Sequence, residues 1–195
     1  LVAFTESVNL AMLTAEKAHK NKGKLSGVST GFLDIDDLLG GLHKSDLVVL
    51  AGRPSMGKTA LATNISFNAA SNSIENKSVA FFSLEMSAEQ LANRILAEQS
   101  SLSSDQIRRG KLSKEDFQSL SKISKEISNN KLFIDDTPAI SVPMLRTRAR
   151  RLKRKLENEL GLIVVDYLQL MRGTKRFENR VQEISEITQG LKSIA

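Results

Sequence analysis

At 195 residues and 41% hydrophobic composition, the chain is the size of one ordinary domain with room for a real core. It has no cysteine, which excludes disulfides and thiolate metal sites and suits a reducing cytoplasm. No run is long enough to span a bilayer, and aromatics at 5% with no Trp argue against base-stacking platforms, so phosphate contacts would have to carry any affinity for nucleic acid.

Phe4, Val8, Ala11, Ala15 and Ala18 recur at helical spacing, and the polar stretch "KNKGK" follows them. Residues 1–24 are therefore expected to be a linker helix and hinge, with one domain over 25–195. The stripe has no obvious place in a sheet domain, so it is expected to pack on an adjacent subunit; the alternative is packing on its own domain. The N-terminus has neither an initiator Met nor a signal-peptide pattern, and the last residues stop inside a helical pattern. The chain is accordingly expected to be a piece of a longer one.

"STGFLDIDDLLGGL" predicts a short helix closed by a glycine pair, and "LVVLA" (Leu47 to Ala51) a buried strand. Then comes "GRPSMGKT", Gly52, Arg53, Pro54, Ser55, Met56, Gly57, Lys58 and Thr59, which fits G-x-x-x-x-G-K-[ST]. Gly52 and Gly57 permit a loop whose N–H groups point inward at an anion. Lys58 supplies a charge for the β- and γ-phosphates, and the Thr59 hydroxyl a ligand for the Mg²⁺ bridging them. The helix expected over Thr59–Ala70 adds its N-terminal dipole. A nucleoside triphosphate, ATP with Mg²⁺, is the ligand this pattern serves.

"SVAFFSLEM" predicts a second strand, and Ser87 with Gln90 a capping box opening a helix. Ser113 opens another helix, and "KLFIDDTP" is a third strand. Ser141 is expected to cap a helix that Gly161 ends, with Leu145, Ala149, Leu152, Leu156 and Leu160 on its apolar side. That segment carries seven basic residues and no acid from Arg146 to Lys155, and without it the chain is close to neutral. Such a face is either solvated or a contact for nucleic acid or a partner. "LIVVDYLQL" (Leu162 to Leu170) predicts a fourth strand, followed by a polar loop and a last helix. Strands alternating with helices imply an α/β fold, a mainly parallel sheet covered on both faces, with ligand at the strands' C-terminal ends.

Two acids sit at such ends. Asp166 closes "LIVVD", where a carboxylate meets the magnesium shell, usually through water. The residue after it is Tyr167, so the carboxylate that orients or deprotonates the attacking water is expected to be Glu85, at the end of "AFFSLE". The alternative for Glu85 is a charge stabilised by the dipole of the helix it precedes. A glutamate there is the arrangement of RecA-type motors and argues against nucleoside kinases and ABC ATPases.

"GRPSMGKT", "FFSLEMSAEQLANRI", "LFIDDTPAISVPMLRTRARRLKR" and "LIVVDYLQLM", in this order from Ser29 to about Leu170, resemble the C-terminal motor domain of the bacterial replicative DNA helicases, the DnaB family. The resemblance implies a RecA-like core. It also implies a homohexameric ring around single-stranded DNA, moving 5′ to 3′ with ATP at subunit interfaces, unwinding forked duplex in the bacterial cytoplasm. Primase, a helicase loader and other replisome proteins are the partners it implies, with no membrane. Lys58 and Thr59 match the family's phosphate and Mg²⁺ contacts, Glu85 its catalytic carboxylate, and Asp166 its second magnesium residue. The chain stops before the family's sensor glutamine strand, main DNA-gripping loop and arginine finger, so half an active site and little hydrolysis are expected of it alone. The loop after Leu170 is expected to touch DNA through Arg172, Lys175, Arg176 and Arg180, leaving the basic helix solvated or partner-facing. A RecA-like recombinase or signalling ATPase and a non-catalytic nucleotide-binding module are the competing readings.

Overall fold

Six consecutive buried residues, Ser78–Ser83, form β1, the centre of the sheet. β2 (Leu132–Asp135) and β3 (Leu160–Asp166) pair with it on either side, both parallel, in the order β2-β1-β3. A strand covered on both faces has no polar side to offer, which is why "SVAFFS" lacks alternation. The computed structural model describes residues 2–20, 25–72, 76–157, 159–173 and 179–195.

Helices supply the two covers. On one face Ala80, Phe82 and Leu84 join Ile140, Val142, Leu145, Ala149, Met171 and Ile187, the inward residues of α7 (Val142–Lys155), α8 (Arg180–Lys192) and their approaches. Gly190 lets α8 approach closely, since a Cβ there would lie 2.7 Å from Val142 Cγ1. On the other face Val79 meets Ala69 and Ala70 of α3 (Lys58–Ser71). Beyond α3 lie α4 (Ala88–Ser100), α5 (Ser104–Arg108) and α6 (Lys114–Ile127), each opened by a complete capping box: Ser87 with Gln90, Ser103 with Gln106, Ser113 with Asp116. Fully burying side chains such as Phe81, Leu91 and Ile187 contributes about 1.5–3 kcal/mol each.

Before the sheet come α1 (Phe4–Lys20) and α2 (Leu33–Leu39), the latter closed by Gly40 at φ 68°. Asp36 of α2 is buried and receives the Thr30 N–H and both the Ser29 and Thr30 hydroxyls. Burial alone would raise its pKa, but those donors outweigh it and hold the carboxyl below the usual range. Asn68 of α3 in turn donates to the Thr30 carbonyl, which locks this segment onto the helix behind the phosphate loop.

Four expectations need correction. Leu47–Ala51 forms no strand, and Leu47, Val48, Val49 and Leu50 are exposed. β-propensity makes no ladder without a neighbouring strand, and none lies beside this run among the described residues. The basic helix ends at Lys155, not at Gly161, because Leu156 leaves the helix and Glu157 turns at φ 50°. Leu160 therefore belongs to β3, and Gly161 serves a close approach, its missing Cβ being 2.8 Å from Lys77 Cβ. Ser141 occupies the N-cap of α7 without a side-chain cap bond. The strand expected to run to Leu170 stops at Asp166, and Leu168–Leu170 form a 3-10 turn. The hinge residues 21–24 lie outside the described residues.

Candidate active site

Parallel pairing aligns Ser83 of β1 with Asp166 of β3, so both strands finish at one edge of the sheet. There the Leu84 N–H donates to the Asp166 carbonyl at 2.7 Å, joining the two ends just before Glu85. Glu85 itself faces solvent. The two acids that stood out in the sequence thus leave neighbouring strands side by side.

The phosphate loop reaches the same edge. Gly57, at φ 85°, is the N-cap of α3, and Ser55 also takes a positive φ of 65°. The Met56 N–H turns back to the Arg53 carbonyl at 3.3 Å. Around Gly57 nothing lies within 4 Å of where a Cβ would be, so the space in front of the α3 N-terminus is open. A Cβ on Gly52 would lie 3.5 Å from Lys58 Cγ, in ordinary contact with the side chain that crosses the loop. Residues 52–57 are exposed, whereas Lys58 and Thr59 in the first turn are half-buried. The Lys58 ammonium stands 5.6 Å from the centre of the Tyr167 ring, which brings the loop's cation to the residue following Asp166.

Asp166 is 5% exposed, and its Oδ2 has no hydrogen-bond partner. A buried carboxylate oxygen without a donor costs free energy unless a cation or ordered water serves it. One residue before Tyr167, whose ring the Lys58 ammonium faces, that orphan oxygen fits a hard divalent cation with oxygen ligands, to which Thr59 would also contribute. No cluster of three or more His, Cys, Asp or Glu exists among the described residues.

Two supports of this edge escaped the sequence reading. Asp136, just past β2, accepts the Ala88 N–H at 3.0 Å and so ties the start of α4 to the neighbouring strand end. Next to it, Asp135 is paired with Arg148 of α7 at 2.7 Å. Burial would push its pKa up, but Arg148 and Thr137 overcome that and hold the carboxyl low. Arg148 is thereby withdrawn from the basic face, whereas Arg150, Arg151, Lys153, Arg154 and Lys155 remain exposed. Only an acid at a distant position identifies the paired one, and distance in sequence hides that.

The loop residues divide. Arg172 is exposed, and its backbone N–H bonds the Ile140 carbonyl. Lys175 and Arg176 lie outside the described residues. Arg180 is not in the loop but opens α8, where Glu183 and the Gln169 carbonyl hold its guanidinium. Glu183 also accepts the Gly173 N–H at 2.8 Å, and these two donors lower its pKa. Both ends of the intervening loop are thus fastened to one carboxylate.

Comparison with known proteins places these features in one lineage. The family model for the DnaB-like helicase C terminal domain matches residues 27–195. Replicative DNA helicase DnaB of Rickettsia typhi is 51% identical over 99% of this chain and 41% of its own length. The protein of the same name from Geobacillus stearothermophilus is 46% identical over 92% of this chain and 39% of its own. The chain therefore spans about two-fifths of the curated relatives it matches. Among solved structures, the ATPase domain of G40P superposes with a TM-score of 0.87 at 31% identity, covering 96% of this chain and 66% of that one. A DnaB-like replicative helicase described with its interactions with primase gives 0.84 at 31%, covering 95% and 44%. Both neighbours match the parallel sheet flanked by helices, the RecA-like ATPase core. The chain belongs to the DnaB-like helicase C-terminal domain family.

Proposed function

We propose that this chain is the motor of an ATP-driven replicative DNA helicase that moves 5′ to 3′ along single-stranded DNA as a homohexameric ring. The observation that carries the reading is the meeting, at one sheet edge, of an open phosphate loop, a buried carboxylate oxygen without a donor and a solvent-facing glutamate. Backbone N–H groups of the phosphate loop at Ser55 and Gly57 and of the α3 N-terminus would cradle the phosphates of ATP, with Lys58 on their outer oxygens. Thr59 and Asp166 would hold Mg²⁺, which when bound offsets the charge that builds on the phosphates. Glu85 orients the attacking water and takes its proton.

The exposed side of this site suits completion by a second subunit. In that arrangement residues 1–24 form the linker, and α1 is the subunit contact. Its Phe4 is 83% exposed on its own domain, and Val8 and Leu13 are exposed with it. An apolar groove of about 620 Å³ between α5 and α6, lined by Ile107, Leu112, Phe117 and Leu120, offers the complementary surface on a neighbouring copy. Family membership supports primase, a loader and replisome proteins as further partners. No helix among the described residues is long and apolar enough to cross a membrane, and the bacterial cytoplasm is the proposed setting.

Intact protein with ATP and Mg²⁺ should displace a strand from a forked duplex only when the fork carries a 5′ single-stranded tail. A requirement for the 3′ tail instead would overturn the polarity, and displacement without ATP would overturn the motor reading.

For the DNA contact we retain Arg172, Lys175 and Arg176 on the loop, with Arg180 steadying its base rather than reaching the strand. Each phosphate contact removed should flatten the log–log salt dependence of single-strand binding by about 0.7 units. Lys175→Ala with Arg176→Ala should therefore lower affinity and slope together, equally across sequences. If that pair is silent while Arg150→Ala with Arg154→Ala gives the loss, the exposed face of α7 carries the strand.

A further inference from the structure

From the end of β1 to Ser87, the N-cap of α4, the chain makes a three-residue arc, Leu84, Glu85 and Met86, and only Glu85 of the three is exposed. Ser83, at the foot of the arc, is 1% exposed. Its Oγ donates to the Met86 carbonyl at 2.6 Å and accepts the Met86 N–H at 3.3 Å. One hydroxyl thus clasps both backbone groups of the residue that closes the arc. Further on, the Ser87 capping box and the Asp136 carboxylate fasten the first turn of α4. Ahead of Glu85, Leu84 is tied to the Asp166 carbonyl.

We propose that Ser83 is a positioning residue for the Glu85 carboxylate: its buried hydroxyl clasps Met86 and so fixes the backbone from which Glu85 reaches the nucleotide edge. The proposal rests on the reading of Glu85 as the water-orienting group. With Leu84 and Met86 both held, the freedom left to Glu85 is that of its own side-chain torsions. Removing the hydroxyl frees the Met86 peptide groups and lets the arc sample conformers in which the carboxylate misses its water. A misplacement of about 1 Å costs up to 10²-fold in rate. The phosphate loop and α3 belong to another segment that Ser83 does not contact by any hydrogen bond, so nucleotide binding is left intact.

Threonine and valine have the same shape and differ in the hydroxyl, which separates this role from simple packing. In intact protein, Ser83→Val should lower the kcat of ATP hydrolysis about tenfold or more, with KM and the Kd for a non-hydrolysable ATP analogue within twofold of wild type. Ser83→Thr should retain most of the turnover. Ser83→Ala removes the oxygen without adding volume and carries the same expectation as valine where the larger residue does not fold. Wild-type kcat in the alanine and valine variants overturns the proposal. So does a loss that lies in KM or Kd, or one that threonine shares in full. Glu85→Gln measured alongside keeps the two ideas apart. An active glutamine variant removes Glu85 from the chemistry, whereas an inactive one beside active Ser83 variants removes only the clasp.

Discussion

Glu85→Gln in the intact protein should bind ATP as tightly as wild type and lose about 10²–10⁴-fold in turnover, the range contributed by a positioned general base. Glutamine has the same length and remains polar, so the arc between β1 and α4 keeps its backbone bonds; what disappears is the group able to accept a proton. Lys58→Ala should behave oppositely. It removes the cation beside the open loop and weakens nucleotide binding itself, with a rise in Kd measurable by titration. These two signatures would divide the site into a binding half at the start of α3 and a chemical half in the arc that follows β1. Turnover near wild type in the glutamine variant would assign the water to another group. An unchanged Kd in the alanine variant would contradict the phosphate-loop reading.

Much of the geometry on which that expectation rests was legible in the chain. Local patterns carry local consequences: the Ser87–Gln90 box, the helix opened by Ser113 and the apolar run before Asp166 each depend on residues within a few positions, and each appears where the pattern places it. What stayed hidden depends on partners far away. Asp136 looks like an ordinary surface acid until folding brings Ala88, 48 residues away in the chain, to it. Arg148 is indistinguishable from its six basic neighbours until Asp135 claims it. Leu47–Ala51 shows the same limit from the other side, because its composition is that of a strand while its hydrogen bonds need a neighbour that no composition supplies. Ser83 combines both cases. Its burial follows from the strand pattern, but its hydroxyl acquires a role only once the chain turns back at Met86.

Assembly should respond to α1 and to the α5–α6 groove as two sides of one contact. Phe4 and Val8 contribute roughly 1–3 kcal/mol each if buried fully against a neighbour, and every subunit interface of a ring would lose that amount together. Phe4→Ala with Val8→Ala should therefore shift the protein from ring to smaller species in sedimentation at micromolar concentration, with unchanged helicity. Deleting residues 1–20 should do so more completely. Phe117, 64% exposed in the groove, supplies the reciprocal test. Phe117→Ala should weaken the ring to a similar degree, since the same contact is cut from the other side. Combining Phe4→Ala with Phe117→Ala should then cost less than the sum of the two, as residues that touch do in a double-mutant cycle. Strict additivity would mean that α1 seats elsewhere on the neighbour, and a ring that survives the deletion would return the apolar stripe of α1 to its own domain.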